Sequence, residues 1–247
     1  MKKEKITVVA LGGSVVYPYN LEGGGLNIPF LKTFRQFIVN QAKKGKKFII
    51  VIGGGKAARM YQQAAREASG CPVECSRCQK KCLDLIGIEV TKINAQLVKF
   101  VLGDAAYHKT MDIEPKKAFV AAFLKSGKKI LVGSGWEPGW STDYDAIKSA
   151  IIFGQNEVIM AGDTAFVCDR DPNKFADAKP IKTIKWADYQ KLIPAKWMPG
   201  LKSPIDPEAA KLAKKNGITV KTIKGSDLGN FERVIDGMDF EGTIITK

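Results

Sequence analysis

Lys5-Ile6-Thr7-Val8-Val9-Ala10-Leu11 runs directly into Gly12-Gly13-Ser14, and Phe48-Ile49-Ile50-Val51-Ile52 runs into Gly53-Gly54-Gly55-Lys56. Each stretch joins an apolar, β-branched strand to a glycine turn and then to a helical pattern. That arrangement points backbone N–H groups at one spot. Glycine lets a phosphate approach the backbone, and the helix N-terminus adds partial positive charge. A tight strand-to-helix turn also needs glycine for steric reasons alone. Two such turns in succession, the second followed by Lys56 and Arg59, point to two phosphorylated ligands held face to face.

Outward from these turns, strand and helix signals alternate. Helical patterns cover about 29–44, 56–68 and 85–101, the last with Ile86, Val90, Ile93, Leu97 and Val101 at near-helical spacing. A helix around 115–124, a strand over 129–132, a helix over 142–153 and a strand over 157–160 follow. Beyond a turn-rich loop at 169–174 come an extended piece at 182–184 and a helix over 186–192. The helix over 207–216 stops at Gly217, and a strand over 218–223, a short helix over 230–235 and a closing strand over 242–246 complete the chain. The alternation predicts an α/β fold: a three-layer αβα sandwich with a mainly parallel central sheet. No repeat or low-complexity linker interrupts residues 1–247, so a single domain is expected, with a lobe boundary near residue 155.

The chain of 247 residues is 45% apolar and 26% charged, ordinary for a globular protein with a sizeable core. The opening Met1-Lys2-Lys3-Glu4 leads straight into a strand, and no uncharged apolar run reaches the roughly 20 residues that span a bilayer. A cytoplasmic protein with no membrane association is expected. The formal net charge is +14, from 39 Lys+Arg against 25 Asp+Glu, which favours anionic ligands. Much of that charge sits in scattered pairs such as Lys43-Lys44, Lys116-Lys117 and Lys214-Lys215, which read as solvated surface. With no nucleic-acid-binding motif beside them, small phosphorylated substrates are the expected partners rather than nucleic acid. The single histidine, His108, has no visible catalytic or metal partners.

Taken in register, the motifs resemble the amino-acid kinase family, and within it the archaeal-type uridylate kinases. The resemblance covers nearly the whole chain. It is carried by Gly12-Gly13-Ser14, by Gly53-Gly54-Gly55-Lys56-Ala57-Ala58-Arg59, and by residues 84–95 (DLIGIEVTKINA). It continues through Gly133-Ser134-Gly135 to Ser141-Thr142-Asp143, then Asp169-Arg170-Asp171-Pro172, Ile205-Asp206-Pro207 and Gly242-Thr243. It implies transfer of the ATP γ-phosphoryl group to UMP, with Mg²⁺, giving UDP. It further implies an acceptor lobe over 1–155, an ATP lobe over 156–247 and a homo-oligomer built on dimers, with a hexamer among the assemblies.

The catalytic group carried over from the resemblance is Gly12, Gly13, Ser14 and Asp143, with Lys56 and Lys202 as cations suspected of touching the transferring group. The UMP side comprises Gly54, Asp84, Trp136, Glu137, Pro138, Gly139, Trp140, Ser141 and Thr142. The ATP side comprises Gly55, Arg59, Gly162, Asp163, Cys168 and Asp171. Plainer readings stand beside these. Asp143 and Asp84 each suit the N-cap of the helix that follows, and Arg59 suits a solvated helix face. The chain also departs from the family. The donor segment 162–168 carries Ala165-Phe166 and Cys168 where relatives have Asp-Gly and Tyr. Trp136 and Trp140 replace smaller or polar residues. These changes keep two alternatives open: a sibling kinase with another phosphate or carboxylate acceptor, and a non-catalytic nucleotide- or oxyanion-binding protein. Phe166 or Trp140 is placed either to stack on a base or to fill core.

Cys71, Cys75, Cys78 and Cys82 form a cysteine-rich insert over 70–83. Their spacing, C-x-x-x-C-x-x-C-x-x-x-C, leaves three readings open: a buried or subunit-facing thiol stripe, Zn²⁺ held in an irregular loop, or disulfides. A continuous helix and one Cys₄ zinc site exclude each other. Eleven residues of helix span about 16 Å, too far for four thiolates to meet one ion at about 2.3 Å.

Overall fold

The computed structural model describes residues 4–18, 25–70, 77–172, 174–198 and 203–247. In chain order the elements are β1 (Ile6–Leu11), α1 (Gly13–Val16), α2 (Ile28–Lys43), β2 (Lys47–Ile52), α3 (Gly55–Ser69) and α4 (Arg77–Leu102). Next come α5 (Lys117–Lys125), β3 (Ile130–Gly133), α6 (Thr142–Ile152), β4 (Glu157–Gly162), β5 (Val167–Cys168), β6 (Pro180–Ile181) and β7 (Thr183–Lys185). The last are α7 (Trp186–Leu192), α8 (Pro207–Asn216), β8 (Thr219–Lys224), α9 (Leu228–Asp236) and β9 (Thr243–Thr246).

The main sheet has seven strands in the order β3-β2-β1-β4-β8-β9-β7, and every neighbouring pair is parallel except β8 with β9. β2 is buried at all six positions, as expected for a central strand covered on both faces. Alternate residues of the strands feed two apolar layers. Val8, Ala10, Ile49 and Val51 pack with Phe123, Ile147, Ala209, Trp186 and Tyr189 from α5, α6, α8 and α7. Val9, Leu11, Ile50 and Ile52 pack with Phe34, Ile38, Ala95, Val98 and Phe231 from α2, α4 and α9. The three-layer αβα architecture is therefore present.

Helix ends follow their local chemistry. Asn27 caps α2 by accepting from the Phe30 N–H at 3.2 Å. Asp206 caps α8 by accepting from Glu208 and Ala209 N–H at 2.8 and 3.0 Å, with Pro207 as the first helical residue. The left-handed Gly217 closes α8. Two sequence readings need correction. The helix expected from residue 85 starts at Arg77, so Asp84 lies inside α4 and caps nothing. The cap of α6 is Ser141, whose hydroxyl accepts from the Asp143 N–H at 3.1 Å, so Asp143 is not the cap. Among the described residues no helix is long and apolar enough to cross a membrane.

Candidate active site

The chain leaves β1 for β2 and β3 on one side and returns to pair β4 on the other. Such a reversal opens a crevice at the carboxyl ends of the strands, where ligands of open α/β sheets bind. Both glycine turns lie there, because β1 and β2 run in register with Leu11 opposite Ile52. The Gly12 N–H donates to Ala161 O at 2.8 Å and the Gly53 N–H to Leu11 O at 2.9 Å, tying three strand ends together. The turns touch. A methyl group on Gly13 would overlap the backbone of Gly53 and Gly55, and one on Gly55, where φ is +63°, would overlap the Gly13 carbonyl. Gly162 lies against Gly12, and the Thr142 side chain lies beside Gly53. Ser14 is buried in α1, while Lys56 and Arg59 occupy the opening turns of α3, both partly buried.

α4 fixes the second turn from beneath. The buried Asn94 amide donates to Gly53 O at 2.9 Å. Thr91 accepts from the Gly135 N–H at 2.8 Å, which joins the same helix to the loop between β3 and α6. That loop is pinned again at Gly139, whose N–H donates to Asp84 Oδ2 at 2.9 Å. Burial raises the Asp84 pKa, opposed by this N–H and by the neighbouring Trp197 indole. Within the loop, Glu137 and Gly139 are exposed, and Pro138 and Trp140 are partly buried. Trp136 corrects the expectation placed on it. Its ring is buried in the core and its indole N–H is taken by Met111 O at 3.1 Å, so the side chain is engaged in packing.

Three carboxylates gather behind the loop. Ser141 donates both its hydroxyl and its N–H to Asp206 Oδ2, the latter at 3.3 Å. Asp143 follows on α6, its pKa pushed up to about 7 by burial first and by the Asp206 charge second. The Ser141 hydroxyl and the Asp206 N–H act the other way. Asp206 is itself raised by burial. Asp145 is fully buried and raised well above its ordinary value, again chiefly by burial. Tyr189 closes the group from α7: its hydroxyl donates to Ile205 O at 2.8 Å and accepts from Ile205 N–H at 2.7 Å, setting the residue before Asp206.

On the other side of the crevice, Gly162 ends β4 and Asp163 is exposed, while Cys168 and Asp171 lie on or after β5, in a separate two-stranded element. The divergent segment is held to the sheet by Thr222, which donates to Ala165 O at 2.7 Å, and by Thr243, which accepts from Val167 N–H at 2.9 Å. Phe166 lies under the Lys182 ammonium at 5.5 Å. Burial and the Asp169 charge raise the Cys168 thiol.

Lys202, Cys71 and Cys75 lie outside the described residues, as does the side chain of Cys78. Cys82 is an exposed free thiol on α4. Among the described residues no group of three or more His, Cys, Asp or Glu side chains forms a metal cradle. Mg²⁺ is ordinarily held by one or two carboxylates together with substrate phosphates and waters, and Asp143, in the first turn of α6 next to the Thr142 that lies beside Gly53, is a carboxylate of that kind.

The residues that sequence reasoning left without a role are Thr91, Asn94, Asp145, Tyr189 and Asp206. Thr91 and Asn94 lie inside a quoted motif, one helical turn apart, and Asp206 carries an N-cap signature before Pro207. Asp145 and Tyr189 offer no signal in the sequence beyond polarity at a core-facing position.

Known proteins agree with this architecture. The amino acid kinase family matches residues 5–223. A uridylate kinase of Methanobrevibacter smithii is 31% identical over 243 residues, covering 97% of this chain and 99% of the relative. One of Hyperthermus butylicus is 28% identical over 239 residues, covering 97% of each. The crystal structure of uridylate kinase from Archaeoglobus fulgidus superposes with a TM-score of 0.74 at 26% identity, over 98% of this chain and 100% of that one. Motifs, sheet order and crevice thus converge with a match spanning most of the sequence, and the chain belongs to the amino acid kinase family.

Proposed function

We propose that this chain is an ATP-dependent nucleoside monophosphate kinase that converts UMP to UDP. The observation that carries the reading is the contact between the two glycine turns at the carboxyl ends of β1 and β2. Phosphoryl transfer asks the protein for little covalent chemistry: it needs two phosphates in line and a screen for charge on the transferred group. An acceptor phosphate oxygen attacks the γ-phosphorus, the bond to the β–γ bridging oxygen breaks, and ADP leaves. Gly13 and Ser14 offer backbone N–H groups and a hydroxyl to the transferring group, while Gly12, whose N–H is taken by Ala161 O, shapes the turn without donating. Gly54 faces UMP and Gly55 faces ATP, with Lys56 and Arg59 as cations on the opening turns of α3, directly after the second glycine turn.

On this reading Asp84 and the 136–142 loop bound the acceptor side within residues 1–155, and Gly162, Asp163, Cys168 and Asp171 bound the donor side within 156–247. Mg²⁺, when bound with ATP, would neutralise phosphate charge, with Asp143 as its carboxylate neighbour. The curated relatives named as uridylate kinases support UMP as acceptor. A homo-oligomer and a cytoplasmic setting belong to the same proposal. The test is ADP release from Mg·ATP with UMP, CMP, AMP, GMP or no acceptor. Turnover dependent on UMP supports the reading, and folded protein that releases no ADP with any acceptor rejects it.

A further inference from the structure

Asp145 sits on α6 two residues beyond Asp143 and is 1% exposed. Burying a carboxyl group is costly unless its oxygens are hydrogen-bonded. Both are, and both partners belong to the loop between β3 and α6. Trp140 Nε1–H donates to Oδ1 at 2.8 Å and Trp136 N–H donates to Oδ2 at 3.3 Å. The nearby Lys148 is engaged at 2.5 Å with Glu114. Asp145 therefore spends its bonding on the loop.

Trp140 is held at a second point. Its ring stacks on Tyr144, with centroids 4.5 Å apart and planes inclined by 29°. Its neighbours in sequence are anchored as well, Gly139 to Asp84 and Ser141 to Asp206. The indole is thus clamped by its N–H and by one face, on a loop whose two ends are fixed, while the residue keeps solvent contact.

We propose that Asp145 is a positioning residue for the acceptor: through Trp140 it holds an aromatic face on the loop that leads into Thr142 at the Gly53 turn, and the acceptor's base stacks against that face. The proposal rests on the kinase reading given above. An asparagine at this position would present one acceptor oxygen and one NH₂ group. One of the two N–H donors would then meet another donor, and the clamp on the loop would loosen.

The test compares wild type with Asp145→Asn, Asp145→Ala, Trp140→Phe and Trp140→Ala. It reads KM for UMP and for ATP, melting temperature, and tryptophan emission during UMP titration. Loss of a charge-assisted bond predicts a rise of about tenfold in the UMP KM for Asp145→Asn, with the ATP KM within about twofold of wild type. Trp140→Ala should match it. Trp140→Phe keeps a stacking face, so its UMP KM should lie between wild type and Trp140→Ala, and the emission change on UMP addition should vanish. A lowered melting temperature with both KM values unchanged, or an equal rise in both, overturns the proposal and leaves Asp145 as packing. Should wild type turn over no UMP, the kinase reading fails on its own. The emission titration with nucleoside monophosphates then still decides: a response lost in Trp140→Phe supports the clamp, and no response in wild type overturns it.

Discussion

The contact between the glycine turns makes Gly55→Ala the sharpest perturbation of this site. Two costs add. Gly55 has φ of +63°, and a left-handed backbone costs an L-residue about 1–2 kcal/mol. The new methyl would also overlap the Gly13 carbonyl and crowd Ser14 N, backbone atoms of a buried turn that has no rotamer to yield. Overpacking of that kind costs about 1–3 kcal/mol. The expected loss is about 2–5 kcal/mol, with turnover falling further than stability because the same shift parts the two phosphate-facing backbones. Gly237→Ala is the control: φ is +73° there, but nothing lies within 4 Å of the new methyl, so only the backbone cost applies. Urea unfolding of both variants isolates the steric component. If Gly55→Ala unfolds within about 0.5 kcal/mol of Gly237→Ala, the turns are not in contact and the argument for two facing phosphates loses its base.

Three further outcomes follow from the carboxylate cluster and its supports. Asp143, raised from its ordinary value to about 7, binds a proton more readily when folded, so its contribution makes stability fall as pH rises from about 4 to about 7. Asp143→Asn should flatten the urea-derived stability curve across that window, and an unchanged slope would place the shift elsewhere. Tyr189→Phe strips the buried Ile205 N–H of its partner, while the Ile205 C=O keeps the Ser203 hydroxyl at 3.0 Å, and should cost about 1–3 kcal/mol by thermal or urea unfolding, whereas an exposed hydroxyl would cost almost nothing. Asn94→Ala, which frees the Gly53 carbonyl, should cost about 1–2 kcal/mol and lower turnover, both read in one preparation by unfolding and by ADP release.

The sheet was legible because its central strands are β-branched runs ending in glycine, a pattern that burial on both faces imposes on residues 6–11 and 47–52. What escaped was set by contacts distant in sequence. The antiparallel β8–β9 pair depends on the return through α9, and nothing in residues 219–224 or 243–246 encodes direction. The eight residues by which α4 begins earlier than expected contain Lys80, Lys81 and Cys82, which break the apolar period without breaking the helix. That difference decided Asp84: inside a helix it has no terminus to cap, and its carboxylate is free to take Gly139. For Trp136 the sequence showed an aromatic in a ligand loop, and only tertiary packing against Met111 tells core from contact.

The cluster behind the acceptor loop shows how one set of groups serves both fold and site. Asp206 closes the first turn of α8 with one oxygen and takes Ser141 with the other. Ser141 in turn caps α6, the helix that carries Asp143 and Asp145. A chain of local N-cap bonds therefore runs from α8 through the loop to α6. Each link uses a group that the helix end requires anyway, so the acceptor loop is fixed largely by bonds the fold already makes. The one exception is Asp145, which caps nothing and sits in apolar surroundings that raise its pKa. A buried carboxylate in that place disfavours the folded state unless both its oxygens stay occupied. Its two partners are the tryptophans of the loop, so the carboxylate and the aromatic loop stand or fall together. Replacing either alone should leave the other badly solvated, and their joint replacement should cost less than the sum of the single changes.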